Sequence, residues 1–134
     1  MEITSNDISE KLQPWIRSQL DSAVQTLIKL QVFEGALIEV KPAWTLPFQL
    51  LIGKAREQSD ARNFRWFICG DIPLDHLGSA AASTPREAAK HFAMKWQLDA
   101  ARLQDDSSET LIENAEALYA LADDDNLWAN KRGL

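Results

Sequence analysis

Phe48-Gln49-Leu50-Leu51-Ile52-Gly53, followed after Ser59-Asp60-Ala61-Arg62 by Asn63-Phe64-Arg65-Trp66-Phe67-Ile68-Cys69, is the stretch on which the fold turns. Phe48, Leu50 and Ile52 alternate as one face of a strand does, the second run resumes the pattern, and the polar residues between them are turn formers. The pair reads as an antiparallel hairpin. Both runs are apolar at both alternating positions for part of their length, which places them centrally in a sheet with helices on at least one face. Upstream, Ala36-Leu37-Ile38-Glu39-Val40 is short and β-branched. Pro42 and Pro47, enclosing Ala43-Trp44-Thr45-Leu46, exclude a central strand there.

Helices flank this β region. From Pro14 to about Gln31, the residues Ile16, Leu20, Ala23, Val24, Leu27 and Leu30 fall in one stripe, with Arg17, Asp21, Gln25 and Lys29 opposite. Pro14 suits the first turn of that helix, and Gly35 marks the exit after it. Ser83-Thr84-Pro85-Arg86-Glu87 is a capping box with proline at the first helical position. The helix it opens, Pro85 to about Gln104, carries the stripe Ala88, Ala89, Phe92, Ala93, Trp96, Ala100 and Leu103. A weaker patch of Met94, Leu98 and Ala101 on its far side calls for a second cover, by another helix or subunit. After Asp105-Asp106, Ser107 or Ser108 can cap a third helix with the stripe Leu111, Ile112, Ala115, Leu118, Tyr119 and Ala122, which ends at Asp123-Asp124-Asp125 in a solvated turn. No βαβ alternation occurs. The expected fold is α+β: a small antiparallel sheet of two to three strands packed against three helices, in the order α-β-β-(β)-α-α. The 134 residues form a single globular domain, with residues 1–11 and 129–134 as mobile termini.

The formal charge is −6, and residues 1–104 hold 12 acidic and 12 basic side chains against 8 and 2 in residues 105–134. The net charge therefore belongs to the C-terminal segment. With no Lys/Arg cluster along the sequence to offset it, nucleic-acid binding is not expected. No apolar run approaches the roughly 20 residues of a membrane span, and the N-terminus lacks a basic and apolar leader. Membrane association is not expected, and the lone Cys69 suits a reducing cytoplasm.

The densest polar chemistry lies in Gly70-Asp71-Ile72-Pro73-Leu74-Asp75-His76. Asp71, Asp75 and His76 have the residue types of a general acid–base pair or a divalent-metal site, because both need convergent lone pairs. The competing reading is a turn, with Asp71 bonded to backbone two residues on and Asp75-His76 capping a helical turn. His91 lies one helical turn after Glu87 and is a further candidate, although two histidines without a third ligand at metal spacing give no metal site. Asp99, inside an apolar stripe, is expected to pair with Lys95 and Arg102. Cys69 reads as core. Phosphate-loop, dinucleotide and serine-hydrolase motifs are missing, so no cofactor is expected. Of five tryptophans, Trp66 and Trp96 are core by periodicity, whereas Trp15, Trp44 and Trp128 belong to no stripe and are candidate binding residues.

Trp15-Ile16-Arg17, Gly70 to His76, Arg86-Glu87-Ala88-Ala89-Lys90-His91-Phe92 with Trp96-Gln97, and Ala115-Glu116-Ala117-Leu118-Tyr119 with Leu127-Trp128 together resemble a family of small bacterial proteins classed as a domain of unknown function. The resemblance spans roughly residues 12 to 128. It implies a stand-alone cytoplasmic bacterial protein and supplies no activity or catalytic residue. The residues themselves favour a non-enzymatic protein-interaction module whose partner is another protein or a second copy in a homodimer. A narrower version is an immunity or antitoxin-like protein that captures a basic effector. The rival is a small enzyme with Asp71, Asp75, His76 and His91 lining a cleft at a strand end.

Overall fold

The two apolar runs pair. In the computed structural model, which describes residues 5–34, 37–60, 62–103 and 105–129 and, for residues 5–9, the backbone only, β2 (Leu50–Glu57) and β3 (Phe64–Gly70) are antiparallel neighbours with Leu51 opposite Cys69 and Gly53 opposite Phe67. β1 (Ile38–Leu46) flanks β2 and β4 (Asp75–Gly78) flanks β3, giving a four-stranded antiparallel sheet in the order β1-β2-β3-β4. The pair read from the sequence is indeed central. β1 runs straight through Pro42, which an edge strand tolerates because its outer side needs no ladder donor. A bulge between Pro42 and Trp44 absorbs the irregularity. β4 exceeds the two to three strands expected. Its four residues, Asp75-His76-Leu77-Gly78, are too few and too polar to show a period.

Intrachain contacts group into two units, Met1–Ser79 and Ala80–Leu134. In the first, α1 (Ser5–Lys29) lies on one face of the sheet, where Trp15, Ile16, Leu20, Ala23 and Leu27 meet Leu51, Ala55, Phe67 and Cys69. Ala23, Leu27, Leu51, Ala55 and Phe67 are fully buried. The helix begins at Ser5, so Pro14 sits inside it and not in its first turn. The helix continues past the missing N–H, at the loss of one backbone bond to Glu10, because the residues that follow are held against the sheet. It ends at a Schellman motif: the Val32 N–H donates to the Leu27 carbonyl at 3.2 Å and the Gln31 N–H to that of Ile28 at 3.0 Å, with Gln31 at φ 57°. The stripe residue Leu30 therefore falls beyond the last turn and is 57% exposed. The exit expected at Gly35 lies outside the described residues.

The second unit is a helical hairpin. α2 (Pro85–Leu103) starts as expected: the Glu87 N–H donates to Thr84 Oγ1 at 3.1 Å, and the Glu87 carboxylate accepts from the Ser83 N–H at 3.4 Å. It packs against α3 (Asp106–Asp123) through Ala88, Phe92, Ala115, Leu118 and Ala122, among other buried residues. The far-side residues Met94 and Leu98 are 45% and 62% exposed, so among the described residues no other helix of the chain supplies the second cover anticipated for α2. Asp105, and neither serine, caps α3, because its carboxylate reaches the Ser107 N–H at 2.9 Å while Ser107 lies already within the helix. At the other end, Asp124 closes α3 and accepts from the Asn126 N–H to start α4 (Asp125–Ala129). Acidic residues at a helix C-terminus oppose the macrodipole. Here Arg86 offsets them, donating from Nε to the Ala122 carbonyl at 2.7 Å and from Nη2 to Asp125 Oδ1 at 2.6 Å. No helix among the described residues is long and apolar enough to cross a membrane.

Candidate functional site

The Asp71, Asp75, His76 cluster does not converge. Asp71 is exposed in the bend after β3, where its backbone N–H donates to the Gln49 carbonyl at 2.7 Å and its side chain pairs with neither of the others. Asp75 and His76 are not a helix cap but successive residues of β4, so their side chains leave opposite faces of the sheet. The Asp75 carboxylate instead accepts from the His76 backbone N–H at 2.8 Å. On its face, His76 Nδ1 accepts from Arg65 Nε at 2.9 Å, which occupies the lone pair a base would use at that nitrogen.

The remaining single-residue candidates resolve one by one. His91 is exposed on α2. Asp99 is one-quarter exposed and pairs with Arg102 and, at 3.8 Å, with Lys95, as its place in the stripe requires. Cys69 is buried, and desolvation pushes its thiol up to about 12, out of the nucleophile range. No group of three His, Cys, Asp or Glu able to hold a metal occurs among the described residues. Trp15 packs its ring on Phe48, centroids 5.8 Å apart, at the margin of the α1–sheet core. Trp128 Nε1 donates to the Leu121 carbonyl at 2.9 Å, pinning α4 to the end of α3. Trp44 is half-buried on β1, opposite Ile52. Trp15 and Trp128 thus have intramolecular partners, and Trp44 has a cross-strand neighbour.

Chemistry concentrates elsewhere, on the sheet face opposite α1, at the turn end of the β2–β3 hairpin and the open end of the β1–β2 hairpin. Cross-strand register sets two rows there: Glu39, Arg56 and Phe64 in one, and Lys41, Lys54 and Trp66 in the next. Together with Val40, the residues Glu39, Lys41, Lys54, Arg56 and Phe64 line a cleft of about 760 Å³. Arg56 Nη2 is bonded to Glu39 Oε2 at 2.7 Å. Lys54 is held differently, with its ammonium 4.7 Å from the Phe64 ring centroid and 4.9 Å from that of Trp66. Two ring faces attract a cation but leave its hydrogen-bond donors unused. Lys41 stands directly opposite Lys54, with Cβ atoms about 5 Å apart in such a pair, an arrangement in which like charges repel. Neither lysine has a carboxylate within ion-pair distance among the described residues.

The linear sequence hides this site. Glu39 and Lys41, like Lys54 and Arg56, are charged residues at period two beside apolar neighbours, which reads as the wet face of an ordinary strand. Only the register brings Lys41, Lys54 and Arg56 together, and so supplies the basic cluster that the sequence itself lacks. The signal available was the pairing of two such strands, each with cations at alternate positions.

No curated protein and no solved structure matches the chain. The family described as Domain of unknown function (DUF4826) matches residues 9–128, most of the chain and every element from which the sheet, the cleft and the helical hairpin are built. The chain belongs to that family of domains of unknown function.

Proposed function

We propose that the protein is a non-enzymatic protein-interaction module and that the cleft bounded by Lys41, Lys54 and Arg56 takes a carboxylate-bearing segment of its partner. One observation carries this reading: two lysines face each other across β1 and β2 without an acid between them, beside an arginine and two aromatic rings. An arrangement that opposes folding is kept where a ligand relieves it. A carboxylate entering the cleft gains charge-assisted bonds from Lys41 and Lys54, and the apolar flank of its segment gains the rim of Phe64. Three cations, one already paired with Glu39, are too few to hold a nucleic-acid backbone, whose affinity scales with the phosphates neutralised. The enzyme reading loses its support because Asp71, Asp75 and His76 point apart and the Cys69 thiol is raised. The lone cysteine favours a cytoplasmic place for this activity.

Titration of isotopically labelled protein with a glutamate-rich peptide, followed by amide chemical shifts, tests the proposal. Saturable shifts at Lys41, Lys54, Arg56 and Phe64 that weaken with salt are expected, with loss of binding in Lys54→Gln. Shifts confined to other surfaces, or none, would remove the cleft as the site.

A further inference from the structure

We infer that the carboxylates taken by the cleft belong to a second copy of this chain, on the exposed face of α3. This rests on the reading of the cleft as a carboxylate site and goes beyond it by naming the occupant. Asp106, Glu109, Glu113 and Glu116 are all exposed, and their spacing of three, four and three residues puts them within one stripe of the helix, about 15 Å long. Among the described residues none of the four is engaged in an ion pair. Residues 105–129 contain acids and no Lys or Arg, so nothing within the segment neutralises the stripe.

The dimensions agree. Helical neighbours three or four residues apart hold their Cβ atoms about 5–6 Å from each other. Lys41 and Lys54 hold their Cβ atoms about 5 Å apart across the strands, and Arg56 is about 7 Å along β2 from Lys54. Two glutamates one turn apart, Glu109 and Glu113, match the spacing of the two lysine stems. Ile112, 41% exposed at the border of the same stripe, then falls beside the half-buried Phe64 at the cleft rim. The two surfaces differ, so the contact made reciprocally between two copies gives an isologous dimer, and made head to tail it is heterologous and closes as a ring of more copies.

Sedimentation velocity on the full chain tests this at about 0.02 M and about 0.5 M salt, where the Debye lengths are roughly 20 Å and 4 Å. The chain carries a net charge of −6, so generalised repulsion lowers association at low salt, and only a complementary contact produces the reverse. The expected result is a weight-average mass that rises above 15.1 kDa with concentration at low salt and returns to it at high salt. The double variants Lys41→Glu/Lys54→Glu and Glu109→Lys/Glu113→Lys, each checked for native circular dichroism, should be monomeric alone and associate when mixed. Association that persists at high salt or in the Lys41→Glu/Lys54→Glu variant would overturn the inference by locating the contact elsewhere. A chain monomeric throughout, whose cleft still responds to the glutamate-rich peptide, would overturn the second-copy assignment alone. One silent to the peptide as well would remove the cleft site with it.

Discussion

Gln31 and Cys69 show how differently single residues betray their roles. Gln31 sits at φ 57° at the end of α1, a left-handed conformation that costs a residue bearing a Cβ about 1 kcal/mol or more relative to glycine. Gln31→Gly should therefore raise stability by about 1 kcal/mol, seen as a higher urea midpoint at unchanged slope. A lowered midpoint would mean that the glutamine side chain holds the turn. Such a site is illegible in sequence, because a glutamine announces no left-handed turn and the nearest glycine, Gly35, draws the eye past it. Cys69 is the opposite case. Its place between Ile68 and Gly70 at the end of an apolar run marks it as core, and the structure buries it. With the thiol raised by desolvation to about 12, a disulfide reagent at about pH 8 should leave the folded protein unlabelled and react within seconds in denaturant. Rapid labelling of the native state would show that β3 opens locally.

At the scale of elements, the sequence was most legible where a local motif has a single physical meaning. Thr84-Pro85-Arg86-Glu87 can only open a helix, and it does; the alternation in β2 and β3 can only pair, and it does. Reading failed where two local solutions compete. Asp105, Ser107 and Ser108 all cap helices well, and the difference of one turn in the start of α3 rests on which carboxylate or hydroxyl reaches a free N–H first. Pro14 likewise fits a first turn better than an interior, and only the burial of the residues after it holds the longer helix. The cap has a pH signature. The Ser107 side chain, then the Ser107 backbone N–H, donate to Asp105 and hold its carboxyl below the ordinary value of 3.8. A group depressed in the folded state stabilises above its unfolded pKa and loses that contribution as pH falls through the folded one. Hydrogen exchange in the first turn of α3 should therefore accelerate as pH drops below about 4 after correction for intrinsic rates. Asp105→Asn should flatten that dependence; an unchanged profile in the variant would assign the protection to another group.

For the molecule as a whole, fold class and helix faces follow from periodicity, whereas the candidate site follows from register, which a sequence does not display. A shift of one residue between β1 and β2 would place Lys41 beside an apolar partner and dissolve the cleft. The sequence draws attention instead to Asp71, Asp75 and His76, because proximity along the chain imitates convergence. In a strand, adjacent residues are the ones that diverge. What sets this face apart from a merely wet one is that two like charges, Lys41 and Lys54, stand opposite each other across the strands. The most direct measurement joins stability and binding in one substitution, Lys41→Glu, which turns a repulsive cross-strand pair into an attractive one without touching the core. It is expected to raise the unfolding free energy by about 0.5 kcal/mol while abolishing the response to the glutamate-rich peptide. A variant that is no more stable than the parent and still binds the peptide would show that the Lys41–Lys54 pair neither opposes folding nor takes the carboxylate.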